Sequence, residues 1–181
     1  MIDPEAMSTM SAVSRSAAQR APDKVCNRFE GRETTFKEFD RRVDQVAHAL
    51  DASSAKVVAY LGKNCDHVFE IFVGTTRAGG MFAPLNWRLA PAEIIDILRK
   101  YPPEILFFGP EFSKAVEEIA KALPDLEILA MEGSDGSWTT YEGTAKLLRV
   151  DCEGWAKAIS CRHFSGIVGP EAECIVTGVT V

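Results

Sequence analysis

Four residues in the carboxyl-terminal part of the chain have side chains that could bind a metal ion: Cys152, Cys161, His163 and Cys174. Three thiolates and one imidazole match the ligand types of a structural Cys3His zinc site. Such sites usually contain a tight C-x-x-C pair, whereas the gaps here are irregular. The spacing therefore favours unremarkable thiols, and a small zinc-binding α/β protein is kept as an alternative.

The other histidines and the paired carboxylates predict surface positions. His48 lies within one predicted helix and His67 near the start of another, and the two show no metal-ligand spacing. For both residues we predict a solvent-exposed side chain. Glu117 and Glu118 are adjacent on a predicted helix, so their side chains point in different directions, which favours a solvated face over a catalytic pair.

The sequence contains no motif for phosphate binding or for a nucleophilic serine. G-x-x-x-x-G-K-[ST], G-x-G-x-x-G and G-x-S-x-G are all absent. Trp87 and Arg88 could stack or bind an anion, although a partly buried loop aromatic is the commoner arrangement. The sequence therefore predicts no catalytic, cofactor-binding or metal-ligating residue.

Composition describes an ordinary folded domain. The 181 residues carry a net charge of −6, with 46% hydrophobic and 25% charged residues. This balance argues against a nucleic-acid partner, which requires a positive field. No apolar stretch is long enough to span a membrane, and residues 1–20 do not resemble a secretory signal. We expect a soluble, cytoplasmic protein whose five cysteines are reduced thiols.

Hydrophobic periodicity predicts the elements that would position these residues. Apolar residues recur at helical spacing from Thr35 to Leu50, with Thr35 as the cap and Arg41, Arg42 and Asp44 on the opposite, polar side. Strands and helices then alternate: strands at 56–61, 81–85, 105–108 and 126–130, and helices at 66–78, 91–101 and 112–123.

Three weaker features complete the pattern. A short helix is predicted at 11–20, and a strand at 25–29 leads into a hairpin with its turn at Gly31–Arg32. Beyond residue 133, a helix at 138–148 and a strand at 174–176 are predicted. Because one helix separates each pair of strands, the fold class is α/β, with a largely parallel sheet and helices on both faces.

Three segments resemble the N-terminal part of the acyl-CoA synthetases, which are AMP-forming members of the adenylate-forming ligase superfamily. They are TTFKEFDRRVDQVAHAL at 34–50, KVVAYLGKN at 56–64 and EIFVGTTRAGGMFAPLNWRLAPAEIIDIL at 70–98. The last is similar to the family's Gly-x-x-x-Ala-Gly-x-x-x-x-Pro-Leu-Asn-x-Arg-Leu stretch. Its matching positions are read as structural: glycines for close helix packing and turns, and Pro84-Leu85-Asn86 for the exit from a strand.

The resemblance implies a reaction for a longer parent enzyme. A fatty or aryl acid would react with ATP to give an acyl-adenylate and pyrophosphate, and CoA would then take the acyl group; ATP, Mg and CoA are the cofactors implied. The family's phosphate loop ends in Pro-Lys-Gly, and only Thr177 to Thr180 resembles it faintly. The turn before Lys56 is also shorter than the family's glycine-containing turn.

These observations divide the chain into a leader and first helix at 1–23, a partial AMP-dependent synthetase/ligase N-terminal domain at 24–149, and a divergent tail at 150–181. We expect an N-terminal fragment of the ligase that is inactive alone. The alternative is a non-catalytic interaction module that self-associates through apolar surface left uncovered.

Overall fold

The helices and strands follow the predicted alternation. The structure, a computed structural model, describes residues 9–131 and 138–141. The helices are α1 (Met10–Arg20), α2 (Phe36–Ser53), α3 (Asp66–Arg77), α4 (Pro91–Lys100) and α5 (Ser113–Ala122). The strands are β1 (Val25–Phe29), β2 (Arg32–Thr35), β3 (Val57–Leu61), β4 (Met81–Pro84), β5 (Ile105–Phe108) and β6 (Glu127–Ala130). The strand predicted at 174–176 and most of the helix predicted at 138–148 lie outside the described residues.

Local signals in the sequence set where the helices begin. The Thr35 hydroxyl accepts a hydrogen bond from the Glu38 N–H at 3.2 Å, which caps α2 as predicted. At α4, Pro91 occupies the first turn, and the carboxylate of Glu93 accepts a hydrogen bond from the Ala90 N–H at 2.8 Å. Both helices therefore start where a cap is available.

The hairpin of β1 and β2 turns one residue earlier than predicted. Glu30 and Gly31 have φ angles of 47° and 79°, and Arg32 is already paired with Phe29. A two-residue hairpin turn of this type needs positive φ at both central residues, so glycine stands second in the turn. The predicted Gly31–Arg32 turn is therefore wrong by one position.

The four remaining strands form one parallel sheet in the order β4-β3-β5-β6. Alternate residues of β3 point to opposite faces. Val58 and Tyr60 pack with α2 and α3, whereas Ala59 and Leu61 pack with α4 and α5. The predicted α/β class, with helices on both faces of a parallel sheet, is confirmed.

Gly74 allows α2 and α3 to pack closely. A Cβ atom at Gly74 would lie 2.5 Å from the Cγ1 atom of Val46 and 3.2 Å from the carbonyl oxygen of Val43. Real side chains do not approach so closely, so any larger residue would push the two helices apart. The structure agrees with the interpretation of this glycine as a helix-packing residue.

Helix α2 ends in a strained residue. Ser54 has a φ of 58° and a ψ of 17°, in the left-handed region that glycine usually occupies at this position. The short turn that sets this chain apart from the family pattern thus places serine where a glycine would be unstrained.

Arg77 in the last turn of α3 joins three helices. Its guanidinium group donates to Asp40 and Asp44 of α2 at 2.6 and 2.8 Å. It also donates to the hydroxyl groups of Ser11 and Ser14 on α1, at 2.8 and 2.9 Å. Ser14 is the buried residue of α1, so polar contacts supply much of this helix's attachment.

Candidate functional site

A groove opens at the carboxyl ends of β3 and β4. The loop after β3 leads to α3 on one face of the sheet, and the loop after β4 leads to α4 on the other. Ligands bind in open α/β sheets beyond the carboxyl ends of the strands, and the groove lies at that edge of the sheet. The groove is therefore a candidate binding site.

The groove has a volume of about 530 Å³ and a largely aromatic lining. The Phe82 ring lines the groove, 6.4 Å from the Tyr60 ring and 5.5 Å from the Phe72 ring, measured between centroids. Phe69 lines the mouth and is 51% exposed. These rings give the groove apolar surface on which a hydrophobic group could lie.

Two cations lie against the indole of Trp87, which lines the groove. The guanidinium carbon of Arg88 lies 4.3 Å from the ring centroid, and the Nζ atom of Lys63 lies 5.8 Å from it. Trp87 is half-buried, so the structure combines the two arrangements weighed from the sequence: a partly buried loop aromatic and a stacked arginine. Of the two cations, Lys63 itself lines the groove and gives it a positive charge beside Trp87.

Gly62 allows the backbone just after β3 to pass close to the side chain of Tyr60. A Cβ atom here would lie 2.5 Å from the hydroxyl oxygen of Tyr60, which donates a hydrogen bond to the carbonyl oxygen of Lys63. Burial raises the pKa of Tyr60, and the nearby Cys65 thiol acts in the same direction. Tyr60 is therefore a neutral donor that holds the loop in place.

A buried cluster of charges lies beside the groove, between α2 and α3. The carboxylate of Glu70 accepts hydrogen bonds from Arg42 at 2.7 Å and from Tyr141 at 2.7 Å, and it contacts His67 Nδ1 at 3.2 Å. At the start of α3, both oxygens of Asp66 accept from Arg32 at 3.0 Å. The cluster ties the hairpin, α2, α3 and Tyr141 together.

Hydrogen bonds and charges within the cluster shift its pKa values. Burial alone would raise the pKa of Glu70, but the hydrogen bond from His67 and the charge of Arg42 outweigh it and lower that pKa. Burial alone would lower the pKa of His67, but the bond to Glu70 and the charges of Glu70 and Asp66 raise it. The pKa of Asp66 is lowered against its burial, chiefly by the hydrogen bond from Arg32.

The role of this buried cluster is structural. Glu70 is only 1% exposed, and Arg42, His67 and Tyr141 engage both its oxygens. A carboxylate so enclosed cannot accept a proton from a bound ligand. The cluster therefore positions the elements around the groove without reaching into it.

The predicted surface position of His67 is wrong. His67 is buried, because its imidazole lies between Asp66 and Glu70. Arg42 is assigned to the polar side of α2 by the sequence, yet its side chain is 11% exposed in its ion pair with Glu70. A charged residue at the edge of a helix's apolar face can be buried when an opposite charge on another helix offsets the cost of its desolvation.

The remaining candidates lie where the sequence predicts or outside the described residues. His48 is exposed on α2, and Glu117 and Glu118 are exposed on α5. Cys152, Cys161, His163 and Cys174 lie outside the described residues, so zinc binding there stays a prediction. Cys26 and Cys65 are free thiols. In the described part of the chain, no three or more His, Cys, Asp or Glu residues are grouped to hold a metal ion.

Trp87 is a candidate binding residue from the sequence that lines the groove, but no motif in the sequence identifies the groove as a whole. Its lining residues come from three separate elements, and only the position of two loops after neighbouring strands indicates where to look.

Across residues 9–131 and 138–141, no helix is both long and apolar enough to cross a bilayer.

Comparison with known proteins adds a family assignment. The chain is 34% identical over 124 residues to an indoleacetate–CoA ligase of Aromatoleum aromaticum. It is 36% identical over 124 residues to the fatty acid–[acyl-carrier-protein] ligase ScoC of Streptomyces coeruleorubidus. Each match covers 67% of this chain and 24% of the relative, so the chain spans about a quarter of those proteins.

A solved structure shares the fold. The anthranilate CoA ligase AuaEII, in complex with anthranoyl-AMP, superposes with a TM-score of 0.66 at 22% identity, over 82% of this chain and 27% of that one. The profile of the AMP-binding enzyme family matches residues 14–152. The chain therefore belongs to the AMP-binding enzyme family, and the two relatives described above are named as a CoA ligase and an acyl-carrier-protein ligase.

Proposed function

We propose that this chain forms the first part of the AMP-binding domain of an ATP-dependent ligase acting on fatty or aryl acids. The observation that carries the proposal is the family match over residues 14–152, shared with relatives named as indoleacetate and fatty-acid ligases. The parent enzyme would join a carboxylate to AMP with release of pyrophosphate. It would then transfer the acyl group to the thiol of CoA, with loss of AMP.

The described residues do not fit ATP or Mg themselves. The groove is lined mainly by aromatic and aliphatic side chains, which suit neither a triphosphate nor a hydrated cation. No group of three acidic, histidine or cysteine side chains is present there to hold a metal ion. We therefore assign residues 9–131 and 138–141 a scaffolding part in the reaction and derive no chemical step from them.

Exchange of labelled pyrophosphate into ATP tests whether the 181-residue chain is inactive alone. The purified chain should show no exchange above background with indole-3-acetate, benzoate or decanoate. Acid-dependent exchange, abolished when the acid is omitted, would contradict the scaffolding role.

A chimera tests the parent function. The matched segment of the Aromatoleum aromaticum ligase is replaced by this chain's segment, and thioester formation with CoA is measured. We expect retained activity, because the two segments share 34% identity and one fold family. The control chimera carries Gly74→Leu, which should separate α2 from α3 and abolish activity. A folded chimera without activity toward any acid would contradict the proposal.

Self-association is the second candidate function. Two large apolar side chains are exposed near the β4 edge of the sheet: Met81 at 64% and Phe69 at 51%. Exposed apolar surface beside an edge strand favours contact between copies. Sedimentation velocity should show a concentration-dependent dimer that Met81→Ser weakens, and a monomer at every concentration would exclude it.

For the parent enzyme we propose a cytoplasmic location without a nucleic-acid partner. The free thiols of Cys26 and Cys65 suit a reducing compartment, and a net charge of −6 disfavours binding to a phosphate backbone.

A further inference from the structure

One ring nitrogen of His67 has two neighbours that make opposite demands on it. Nδ1 lies 3.2 Å from Oε2 of Glu70 and 3.3 Å from Nη2 of Arg42. An ionised carboxylate can only accept a hydrogen bond, and a guanidinium group can only donate one. Nδ1 can therefore bond to Glu70 only when it carries a proton, and to Arg42 only when it does not.

The other ring nitrogen faces a negative charge. Nε2 of His67 lies 3.9 Å from Oδ1 of Asp66, whose carboxylate also accepts hydrogen bonds from Arg32 of β2. This distance is too long for a hydrogen bond, but the charge still favours a proton on Nε2 over a lone pair. When the charged imidazole loses a proton to solvent, we therefore expect the proton to leave from Nδ1.

The rest of the cluster can stay in place when Nδ1 changes its partner. Arg42 donates to Oε1 of Glu70 through Nε, at 2.7 Å, and this bond does not involve Nη2. The hydroxyl of Tyr141 donates to Oε2 of Glu70, also at 2.7 Å. A small movement of the imidazole between Glu70 and Arg42 therefore leaves α2, α3 and Tyr141 joined.

Charged and titratable groups of every packed element surround the imidazole. Burial and the charge of Arg42 lower the pKa of His67, but the hydrogen bond to Glu70 and the charges of Glu70 and Asp66 outweigh them and raise it. The proton should therefore leave at a pH above about 6.5, the ordinary value for histidine. The remaining groups are Arg32 on β2, Tyr141 with its ring 5.3 Å away, and the Cys26 thiol of β1, which lies in the field of Glu70.

From this geometry we propose that His67 is a proton-operated switch between α2 and α3. In the charged form, Nδ1–H donates to Glu70, three residues further along the same helix. In the neutral form, Nδ1 accepts from Nη2 of Arg42 on the neighbouring helix. A rise in pH thus transfers one hydrogen bond from within α3 to the contact between α2 and α3. The switch depends only on contacts inside this chain and is independent of the adenylation reaction.

Nitrogen NMR of the isotope-labelled 181-residue chain tests the exchange directly. Below the midpoint, both ring nitrogens of His67 should carry protons, and above it only Nε2 should. Rotation about the Cζ–Nη2 bond of Arg42 should slow down over the same pH range, because Nη2 gains an acceptor. His67→Gln and Arg42→Lys identify the signals. The exposed His48 is the internal control and should show averaged tautomers when it is neutral.

A double-mutant cycle measures the coupling between the two side chains. Arg42→Met, His67→Leu and the double variant are unfolded in urea at pH 5.5 and at a pH above the NMR midpoint. The coupling should be unfavourable at pH 5.5, where two cations are neighbours, and favourable at the higher pH, where they are donor and acceptor. The control cycle of Arg42→Met with His48→Leu should show no coupling at either pH.

The two experiments can each contradict the switch. A neutral His67 protonated at Nδ1, averaged tautomers like those of His48, or rotation of Arg42 that does not follow the titration would overturn the proposal. A coupling of the same sign at both pH values would overturn it as well. The NMR titration uses the unchanged chain, so it decides the question even if a buried variant fails to fold.

Discussion

The two faces of the parallel sheet are held by different means. On the α2–α3 face, Asp66, His67, Glu70 and Thr75 are buried among the apolar residues. On the α4–α5 face, the buried residues are apolar, including Ile94, Leu98, Val116 and Ile119.

The two faces should therefore differ in the substitutions that they accept. Apolar packing accepts side chains of similar volume, whereas a buried ion pair requires its partner charge. The α2–α3 face should therefore respond to charge and pH, and the α4–α5 face to volume alone.

Removal of Glu70 should have the largest effect. Glu70→Ala removes the carboxylate that pairs with the buried side chains of Arg42 and His67, so we expect a loss of about 3–5 kcal/mol in the free energy of unfolding. Urea denaturation measures it, and Glu118→Ala, at an exposed site, should cost less than about 0.5 kcal/mol. Equal losses in the two variants would remove the distinction between the faces.

A cavity on the opposite face should cost somewhat less. Leu98 is buried between α4 and the sheet, so Leu98→Ala should lower the free energy of unfolding by about 2–4 kcal/mol. Leu98→Met nearly conserves volume and should cost under about 1.5 kcal/mol. Both losses should be the same at pH 5 and pH 8, and a strong pH dependence would contradict an apolar origin.

The α2–α3 face should instead be sensitive to pH. The pKa of His67 is raised in the folded protein. Its contribution to the free energy of unfolding is therefore complete below the pKa of the unfolded chain, about 6.5, and is lost as the pH rises through the folded pKa. The pKa values of Glu70 and Asp66 are lowered, so their contributions are full above about 4.3 and are lost in acid. The cluster should therefore stabilise most between about pH 5 and 6.5.

The variant His67→Gln tests the alkaline side of this profile. Its loss in the free energy of unfolding, relative to the unchanged chain, should be greatest near pH 5–6 and should shrink as the pH rises. His48→Gln on the exposed side of α2 is the matched control. A constant difference at every pH would show that the imidazole acts through packing alone.

The smallest effect concerns strain at the end of α2. Ser54 is left-handed, whereas α4 and α5 end at residues with φ angles of −131° and −135°. Ser54→Gly should therefore stabilise the protein by about 0.5–1 kcal/mol, measured as a higher midpoint of urea denaturation. In contrast, Ser16→Gly within α1 should destabilise by about 0.5 kcal/mol; stabilisation by both would point to a general effect of glycine.

Most of the fold could be predicted because its signals are local. Thr35 caps a helix whose first turn follows it directly, Pro91 starts one, and Gly79 has a φ of 72° just after another. Each signal acts within a few residues of its own position. The alternation of strands and helices then determines a parallel sheet.

The buried charges could not be predicted, because their partners are distant in sequence. Arg42 and Glu70 are separated by 28 residues, and Tyr141 and Glu70 by 71. Helical periodicity describes one helix at a time, so it places Arg42 with its polar neighbours. Which residue of α3 faces it depends on how closely the two helices pack, and Gly74 determines that.

The candidate groove was predictable in location only. Strand ends at the same edge of the sheet follow from the parallel order, and Trp87–Arg88 is a visible signal in the sequence. The exposure of Phe69 and the approach of Lys63 to Trp87 depend on three-dimensional packing.

The attachment of α1 through Arg77 makes the amino-terminal helix dependent on a single side chain of α3. Met10 and Val13 of α1 are exposed, and much of its anchorage is a guanidinium group shared with Asp40 and Asp44. The side chains of Arg77 and Asp40 are only 11% and 15% exposed, so salt screens this contact little. Trypsin should therefore cut after Arg15 and Arg20 faster in the variant Arg77→Met than in the unchanged chain, while the sheet and its helices remain resistant.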